Sequence, residues 1–184
     1  MARRARDRKQ RIATIAPVPD DGPDPAVQRA LQELGADPRR ELTVGGVPVS
    51  ELALRFGTPL YVFAAEVLRR RAARVRNAFG PDVGLLWSVK ANPSVAVTAC
   101  LRAAGAGCEV ASLGELCVAL AAGHAPSELR FAGPGKTDAE LEAALDRGLG
   151  TFHVESLGEL EALAALARRR GAVARCAIRV NLPE

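Results

Sequence analysis

The sequence has few aromatic residues, few histidines and no long hydrophobic run, and each of these shortages excludes a class of protein. Only 4% of its 184 residues are aromatic, whereas 48% are hydrophobic, so a core must be built mainly from Ala, Leu and Val. No window approaches the length of a membrane span, and no apolar segment of the secretory type follows the charged first residues. We therefore expect a cytoplasmic protein of about one domain with no membrane partner.

The histidines and cysteines are too few and too scattered to suggest a metal centre. His124 and His153 are the only histidines, and neither lies at metal-ligand spacing from a cysteine. The cysteines contain no C-x-x-C pair, and they are Cys100, Cys108, Cys117 and Cys176. We predict no metal and no disulfide, and we interpret the cysteines as four buried thiols in a reducing cytoplasm.

The net charge of +4 is concentrated at the N-terminus. Residues 1–11 contain six basic residues and one acidic residue, a local charge of +5, which leaves the rest of the chain close to neutral. Such tails can bind nucleic acid or anionic lipid, but they are more often solvated and disordered, so we expect no nucleic-acid partner. Pro17–Pro25 is typical of a linker and Ala26–Leu34 of a short helix. We assign residues 1–41 as a basic, Pro-rich disordered tail and linker.

Residues 42–64 form a segment with short predicted strands that leads into the regular part of the chain. Thr43–Val49 and Thr58–Phe63 are rich in β-forming residues, and Ser50–Phe56 between them favours a helical turn. Glu66–Phe79 then predicts a helix. Its apolar face consists of Leu68, Ala72, Val75 and Phe79.

From residue 84 onward, short apolar strands alternate with helices. The predicted strands are 84–89, 107–111, 128–132, 150–154 and 174–180, and the helices between them are 94–104, 113–122, 138–147 and 157–170. The glycines expected to end these helices are Gly105, Gly123, Gly148 and Gly171. Short connections of this kind indicate a parallel sheet, either in a barrel or in an open doubly wound sheet. The constant unit length favours a (β/α)8 TIM-type barrel, which usually needs about 250 residues. We expect residues 65–184 to hold only its first half, strands 1–5.

Three of these helices begin with a capping-box pattern, and two of the boxes lie within an internal repeat. The boxes are Ser112-x-x-Glu115, Thr137-x-x-Glu140 and Ser156-x-x-Glu159. Glu109–Leu116 matches His153–Leu160 at six of eight positions, 44 residues apart. That distance corresponds to two βα units, which supports the regular architecture.

Lys90 follows directly after the first of these strands, in the segment Gly84–Pro93. We interpret the strand as buried on both faces, with Asn92 as the cap of the next helix and Pro93 in its first turn. Lys90 then lies at the carboxyl end of a strand, where α/β enzymes keep their chemistry. In apolar surroundings its amine would become a better nucleophile towards an aldehyde such as pyridoxal phosphate. The alternative is an ordinary surface lysine.

Four segments together, in this order, resemble a known family. They are Gly57–Phe63, Ser88–Pro93, Glu109–Glu115 and Phe131–Asp138. They resemble the pyridoxal-phosphate-dependent decarboxylases of the alanine-racemase fold type, which include diaminopimelate, ornithine and arginine decarboxylases. The resemblance covers about residues 42–184 and is closest to the diaminopimelate branch. It implies an alanine-racemase-like barrel with pyridoxal 5'-phosphate as cofactor.

The resemblance also implies roles for four residues. Lys90 is expected to bind the cofactor aldehyde covalently, and Glu109 takes the place of an aspartate that the family has near that lysine. Both are candidate catalytic and cofactor-binding residues. Asn92 and Glu115 match further positions of the motifs and are candidate cofactor-binding residues, although each also has a capping role. No metal ligand is implied.

The implied reaction is the decarboxylation of an amino acid, most closely meso-diaminopimelate to lysine, by a carbon–carbon lyase of lysine biosynthesis. The resemblance implies a small-molecule substrate and a homodimer in the full-length form. Further essential groups of the family have no counterpart in this sequence, so we expect a truncated and inactive part of the enzyme. The alternatives are a decarboxylase of another amino acid or of a carrier-bound substrate, a non-catalytic pyridoxal-phosphate-binding protein, and an interaction remnant with an exposed sheet edge.

Two further residue patterns suggest chemistry but have structural explanations. Gly133–Lys136 resembles part of a phosphate-binding loop, but Arg130 stands where the eight-residue pattern needs glycine. A strand, a tight turn and a capped helix explain this segment, with Lys136 at the mouth of the site as the alternative. We interpret His153, a single histidine inside a strand, as a packing residue.

Overall fold

A computed structural model of the chain describes residues 24–34 and 41–180. The basic tail and most of the predicted linker therefore lie outside the described residues. Helix α1, Pro25–Glu33, begins after Asp24, whose carboxylate accepts a hydrogen bond from the N–H of Ala26 at 2.6 Å. The helix predicted at this place is confirmed.

A short hairpin and two helices precede the main sheet. Strands β1 (Thr43–Val44) and β2 (Val47–Pro48) pair antiparallel, followed by α2 (Val49–Phe56) and α3 (Ala65–Phe79). The turn of the hairpin is Gly45-Gly46, with φ of +61° and +83°, and positive φ at both central residues is characteristic of a type I′ hairpin turn.

The strand predicted at Thr58–Phe63 is wrong. This segment connects α2 to α3 and pairs with no strand of the described chain. A β-rich sequence forms a strand only where a neighbouring strand accepts its backbone hydrogen bonds.

The main sheet has five parallel strands in chain order. They are β3 (Leu86–Ser88), β4 (Gly107–Val110), β5 (Leu129–Phe131), β6 (Thr151–Val154) and β7 (Cys176–Ile178). The helices between them are α4 (Val95–Ala103), α5 (Leu113–Ala121), α6 (Asp138–Asp146) and α7 (Leu157–Arg170). Strand order without a reversal, with a helix after each of the first four strands, is the arrangement of a partial (β/α) barrel. The predicted α/β fold is confirmed.

One face of this sheet is covered by helices, whereas no helix or strand of the described residues covers the other, which we call the open side. Along β4 and β6, buried residues alternate with half-buried ones, so Val110 and Phe152 face the helices while Glu109 and His153 face the open side. The helix-covered core is dominated by Phe131, Phe152, Leu116, Leu129, Leu141 and Leu163. The prediction that residues 84–89 form a strand buried on both faces is wrong, because β3 lies at the sheet edge and Leu86 is 42% exposed.

The predicted apolar face of α3 is only partly used. Ala72 is buried in a small cluster with Val97 and Leu101, and Leu68 packs against it. Val75 and Phe79, further along the same helix, are exposed. The apolar spacing therefore predicts the helix correctly, whereas contact with α4 covers only its first half.

The helix ends follow the predicted glycines, but the capping boxes differ from one another. Gly105, Gly123, Gly148 and Gly171 all have positive φ at the ends of helices. Thr137 and Glu140 form both hydrogen bonds of the box. Ser112 and Ser156 each accept from the N–H three residues on, at 3.2 Å. Their glutamates do not bind back to the cap residue, so two of the three predicted boxes are half-formed.

The cysteines do not behave as one class. All four are free; Cys108 is buried and Cys100 is half-buried, whereas Cys117 and Cys176 are exposed. The prediction of four buried thiols is therefore wrong, since Cys117 lies on the outer side of α5 and Cys176 in the edge strand β7. Within residues 24–34 and 41–180, no helix is long and apolar enough to cross a membrane.

Candidate active site

Lys90 lies in a single 3-10 turn, Val89–Ala91, at the carboxyl end of β3. The turn is closed by the N–H of Asn92, which donates to the carbonyl of Val89 at 3.0 Å. Val89 is fully buried and anchors the turn in the core, while Lys90 is exposed. The expectation that apolar surroundings enclose Lys90 is wrong, because the turn extends beyond an edge strand. The buried neighbour nevertheless fixes the backbone from which the amine projects.

The helix after Lys90 is capped by Ser94 and not by Asn92. The hydroxyl of Ser94 accepts from the N–H of Val97, and the side chain of Asn92 accepts from the N–H of Ser94 at 3.1 Å. Pro93 accordingly precedes the helix. Asn92 thus forms a local turn of the type in which Asn binds the backbone two residues on. The predicted cap is wrong by two residues, and Asn92 shapes the link between Lys90 and α4.

Glu109 lies in β4, directly beside the end of β3. Its register partner is Ser88, whose hydroxyl donates to Glu109 Oε1 at 3.2 Å. Glu109 is half-buried on the open face of the sheet. The carboxylate is therefore held beside the turn that carries Lys90.

A cavity of about 380 Å³ brings these two residues together at the carboxyl ends of the strands. It is lined by Lys90, Glu109, Ala132, Gly133, Pro134, His153, Glu155, Ala177, Ile178 and Arg179. A larger cavity of about 690 Å³ lies at the amino ends of the strands and contains no lysine. Because parallel-sheet enzymes place their chemistry at the carboxyl ends, we assign the smaller cavity as the candidate site.

His153 belongs to this site, and its interpretation as a packing residue is wrong. In the internal repeat it occupies the position of Glu109, two strands further along the sheet. Equivalent positions on alternate strands of a barrel lie in one layer, so both side chains face the same cavity. The repeat was therefore the sequence signal that could have identified His153.

Sequence reasoning also missed Glu155 and Arg179, which line the cavity together. The guanidinium of Arg179 contacts both carboxylate oxygens of Glu155, at 3.1 and 3.3 Å. Glu155 follows β6 and Arg179 follows β7, so both come from carboxyl ends of strands. The pattern of polar residues immediately after apolar strands was the available signal.

Glu115 and Lys136 have structural partners instead of lining the cavity. The carboxylate of Glu115 accepts from the N–H of Ala111 at 2.9 Å at the start of α5. The side chain of Lys136 is 1% exposed, and its ammonium donates to three oxygens at 2.7 Å each, so it has no proton left for a ligand. Lys136 therefore does not lie at the open mouth of the site, and the phosphate-loop alternative has no free cation.

Lys90 differs from Lys136 in having an uncommitted amine. In the part of the chain that the structure describes, no hydrogen bond or ion pair involves Lys90 Nζ. The thiol of Cys108, next to Glu109, faces the core, where burial raises its pKa to about 11, assisted by the charges of Glu115 and Glu109. The neutral thiol is a poor nucleophile. Of the reactive groups near this edge, the Lys90 amine is the one that an incoming carbonyl compound can reach.

The lining fits a small anionic carbonyl compound. It offers an amine, two carboxylates, an imidazole and a guanidinium around an open space. An amine can condense with an aldehyde, and a neighbouring carboxylate favours the positive charge that results. Arg179 supplies a cation that can accompany an anionic group.

Comparison with known proteins gives one consistent result. A family model described as "Pyridoxal-dependent decarboxylase, pyridoxal binding domain" matches residues 65–183. The diaminopimelate decarboxylase of Aquifex aeolicus is 43% identical over 141 residues, covering 77% of this chain and 33% of that protein. The L-glutamyl-[BtrI acyl-carrier protein] decarboxylase of Niallia circulans is 35% identical over 133 residues, 72% of this chain and 31% of that protein.

Solved structures give the same picture. The crystal structure of AQ1208 from Aquifex aeolicus is similar with a TM-score of 0.73 and 43% identity, covering 77% of this chain and 35% of that one. Diaminopimelate decarboxylase from Helicobacter pylori in complex with L-lysine is similar with a TM-score of 0.66 and 30% identity, covering 72% and 34%. The chain spans about a third of the length of the curated relatives it matches.

Proposed function

Because the chain belongs to the pyridoxal-dependent decarboxylase family, through the pyridoxal-binding domain of that family, we propose that it forms the lysine-bearing part of an amino-acid decarboxylase that acts on meso-diaminopimelate. The observation that supports this most directly is the uncommitted amine of Lys90 at the carboxyl edge of the sheet, in one cavity with Glu109. Diaminopimelate is the substrate named for the similar proteins of Aquifex aeolicus, Zymomonas mobilis and Vibrio cholerae.

The cofactor of the family is pyridoxal phosphate, and the cavity fits its chemistry. When bound, it supplies an aldehyde with which amines condense and a pyridinium ring that accepts the electrons left by a departing carboxylate. We assign Lys90 to hold the aldehyde carbon and Glu109 to hold positive charge beside it. Ser88 fixes the orientation of Glu109 through its 3.2 Å hydrogen bond.

His153 and Arg179 complete the proposed assignment. His153 shares the layer of Glu109, so its imidazole can give or take a proton at the reacting carbon. Arg179 presents a cation to the carboxylate or phosphate of a bound molecule, while Glu155 holds its guanidinium in place. Asn92 shapes the backbone after Lys90, and Glu115 holds the start of α5; neither has an assigned contact with the cofactor.

Reductive trapping tests the assignment of Lys90. The chain has three lysines, Lys9, Lys90 and Lys136, which makes the result easy to map. The purified chain is mixed with pyridoxal phosphate and reduced with borohydride, and the peptides are analysed by mass spectrometry. We expect one major adduct, on Lys90, that is lost in Lys90→Ala and kept in Lys9→Ala. Equal labelling of Lys9 and Lys90, or none, would refute the assignment.

Protection from trapping tests the substrate. We expect meso-diaminopimelate to reduce labelling of Lys90 at a lower concentration than L-ornithine or L-glutamate, because it competes for the aldehyde from within the site. Stronger protection by one of the other amino acids would contradict the substrate assignment while leaving that of Lys90 intact.

A second candidate function is decarboxylation of an amino acid attached to a carrier protein. The similarity to the L-glutamyl-[BtrI acyl-carrier protein] decarboxylase favours it. In that case a glutamyl thioester should protect Lys90 better than free diaminopimelate.

We further propose a homodimer of the full-length protein and a cytoplasmic location; the four free cysteines fit a reducing compartment.

A further inference from the structure

Lys136 is the most completely bound charged side chain of the described residues near the site. Its ammonium donates to the carbonyl of Gly133, the carbonyl of His153 and Glu159 Oε1, each at 2.7 Å, and lies 5.6 Å from the centre of the Phe131 ring. Lys136 and Glu159 are 1% and 7% exposed. This single group therefore joins the loop after β5, the backbone of β6 and the first turn of α7.

The same loop is held from its other side by Glu155. The N–H of Gly133 donates to Glu155 Oε1 at 2.9 Å, so both polar groups of this residue are bound. Gly133 has a φ of +97°, and a Cβ at this position would lie 3.3 Å from the Cβ of Ala111. The loop thus passes close to β4 in a conformation that suits only glycine. We call residues 132–136 the rim loop, since Ala132, Gly133 and Pro134 line the cavity of Lys90.

We propose that Lys136 is a positioning residue of the active site, which fixes the rim loop and the end of β6 around the cavity that Lys90 enters. This inference rests on the proposed function, because it assigns Lys136 a role in the geometry of that site. The residue acts through the carbonyls of Gly133 and His153 and touches neither cofactor nor substrate. Lys136, for which the sequence gives the mouth of the site as the alternative position, thus acts on the site through backbone atoms of the cavity lining.

The distinction from a purely stabilising ion pair lies in the two carbonyls. A buried ion pair can often be replaced by apolar residues of similar volume without loss of stability, whereas removal of one partner strands a buried charge. Apolar replacements cannot donate to the carbonyls of Gly133 and His153. Replacing both charged residues should therefore restore the packing between β6 and α7 but not the position of the rim loop.

The experiment compares Lys136→Met, the double variant Lys136→Met/Glu159→Leu and Arg170→Met. Arg170 is the matched control, since it joins α6 to α7 through an exposed ion pair with Asp146 at 3.2 Å. Amide hydrogen exchange by mass spectrometry gives a readout that does not need the cofactor, focused on Gly133 and on the amides of α7. Selective reductive labelling of Lys90 by pyridoxal phosphate gives the second readout.

In both variants that lack Lys136, the carbonyl of Gly133 loses its hydrogen bond, while the N–H of Gly133 keeps Glu155 as its partner. We expect the rim loop to open more often as a result, so that exchange of this N–H accelerates by about tenfold, which corresponds to the free energy of about one hydrogen bond. In the double variant, amide exchange in α7 should return to the wild-type rate. The ratio of Lys90 labelling to Lys9 labelling should remain lower than in the wild type. Arg170→Met should leave Gly133 and Lys90 unchanged.

Two results would overturn the proposal. One is recovery of both Gly133 protection and selective Lys90 labelling in the double variant, which would make Lys136 only the counter-charge of Glu159. The other is equal acceleration at Gly133 in Arg170→Met, which would point to general helix packing. If Lys90 of the unmodified chain is never labelled, the proposed function fails, and the exchange of Gly133 still decides whether Lys136 holds the loop.

Discussion

Phe152 anchors the strand that presents His153 to the cavity, and its removal should be the most damaging single change in the core. Phe152 and its register partner Phe131 are both fully buried, with ring centres 6.4 Å apart. Truncating a buried Phe to Ala costs about 3–5 kcal/mol, of which an aromatic pair contributes about 0.5–1.5 kcal/mol. For a chain of this size, 1 kcal/mol corresponds to about 2–4 °C in Tm, so Phe152→Ala should lower Tm by about 6–20 °C.

Urea unfolding followed by fluorescence measures this loss directly. Trp87 is the only tryptophan and lies in β3, where it packs against both the helix-covered core and the small cluster around Ala72. Its fluorescence emission therefore changes when the sheet unfolds. Phe79→Ala is the matched control, because Phe79 is 66% exposed at the end of α3 and its truncation should cost less than about 1 kcal/mol. A loss below about 1 kcal/mol in Phe152→Ala, or one equal to that of Phe79→Ala, would refute the assignment of Phe152 to a close-packed core.

Three further predictions concern pH, thiol chemistry and capping. Burial, followed by the charge of Arg102, lowers the pKa of His124 below 6.5. As the pH falls, the unfolded chain therefore takes up the proton before the folded chain does. The free energy of unfolding should be highest above about pH 6.5 and fall at lower pH, and it should fall less steeply in His124→Gln. With a pKa of about 11, Cys108 is roughly 0.1% thiolate at pH 8 and should react with a thiol reagent much later than the exposed Cys117. Ser94→Ala should cost about 1 kcal/mol through the lost cap of α4.

Each of these has an outcome that contradicts it. A stability profile of His124→Gln identical to that of the wild type would show that His124 does not titrate on unfolding. Reaction of Cys108 at the rate of Cys117 in the native chain would show that its strand opens readily. A Ser94→Ala variant as stable as the wild type, alongside a destabilised Asn92→Ala, would return the capping role to Asn92.

The periodic part of the fold could be predicted from the sequence because strands and helices there follow local rules. The helix over residues 157–170 has the predicted bounds, and the other helices after residue 64 differ by at most one residue at either end. Apolar alternation and capping hydroxyls act within a few residues of one another, so the sequence alone displays them. Thr58–Phe63 failed for the opposite reason, since strand formation depends on a distant partner.

The sequence predicted the candidate residues that lie in recognisable motifs and missed those that come together only through contacts between strands. Lys90 and Glu109 could be identified from their motifs, and the structure places both at one cavity. The contact between Glu155 and Arg179 could not be predicted, because it arises from the pairing of β6 and β7 and not from sequence spacing. The ion pair of Lys136 and Glu159 likewise joins two residues that the sequence places in separate segments, the turn Gly133–Lys136 and the first turn of α7.

The internal repeat has a consequence for how this scaffold can be modified. The two copies, Glu109–Leu116 and His153–Leu160, differ only at their first and third positions, and three of the four residues found there line the cavity. The six shared positions supply a buried valine, the capping serine and the first turn of a helix. The residues that determine the fold and the residues that line the cavity therefore occupy different positions of the same eight-residue segment. A designer can exchange the residues at the first and third positions between the two copies. This would move a carboxylate or an imidazole from one strand to another and leave the six positions that specify the fold unchanged.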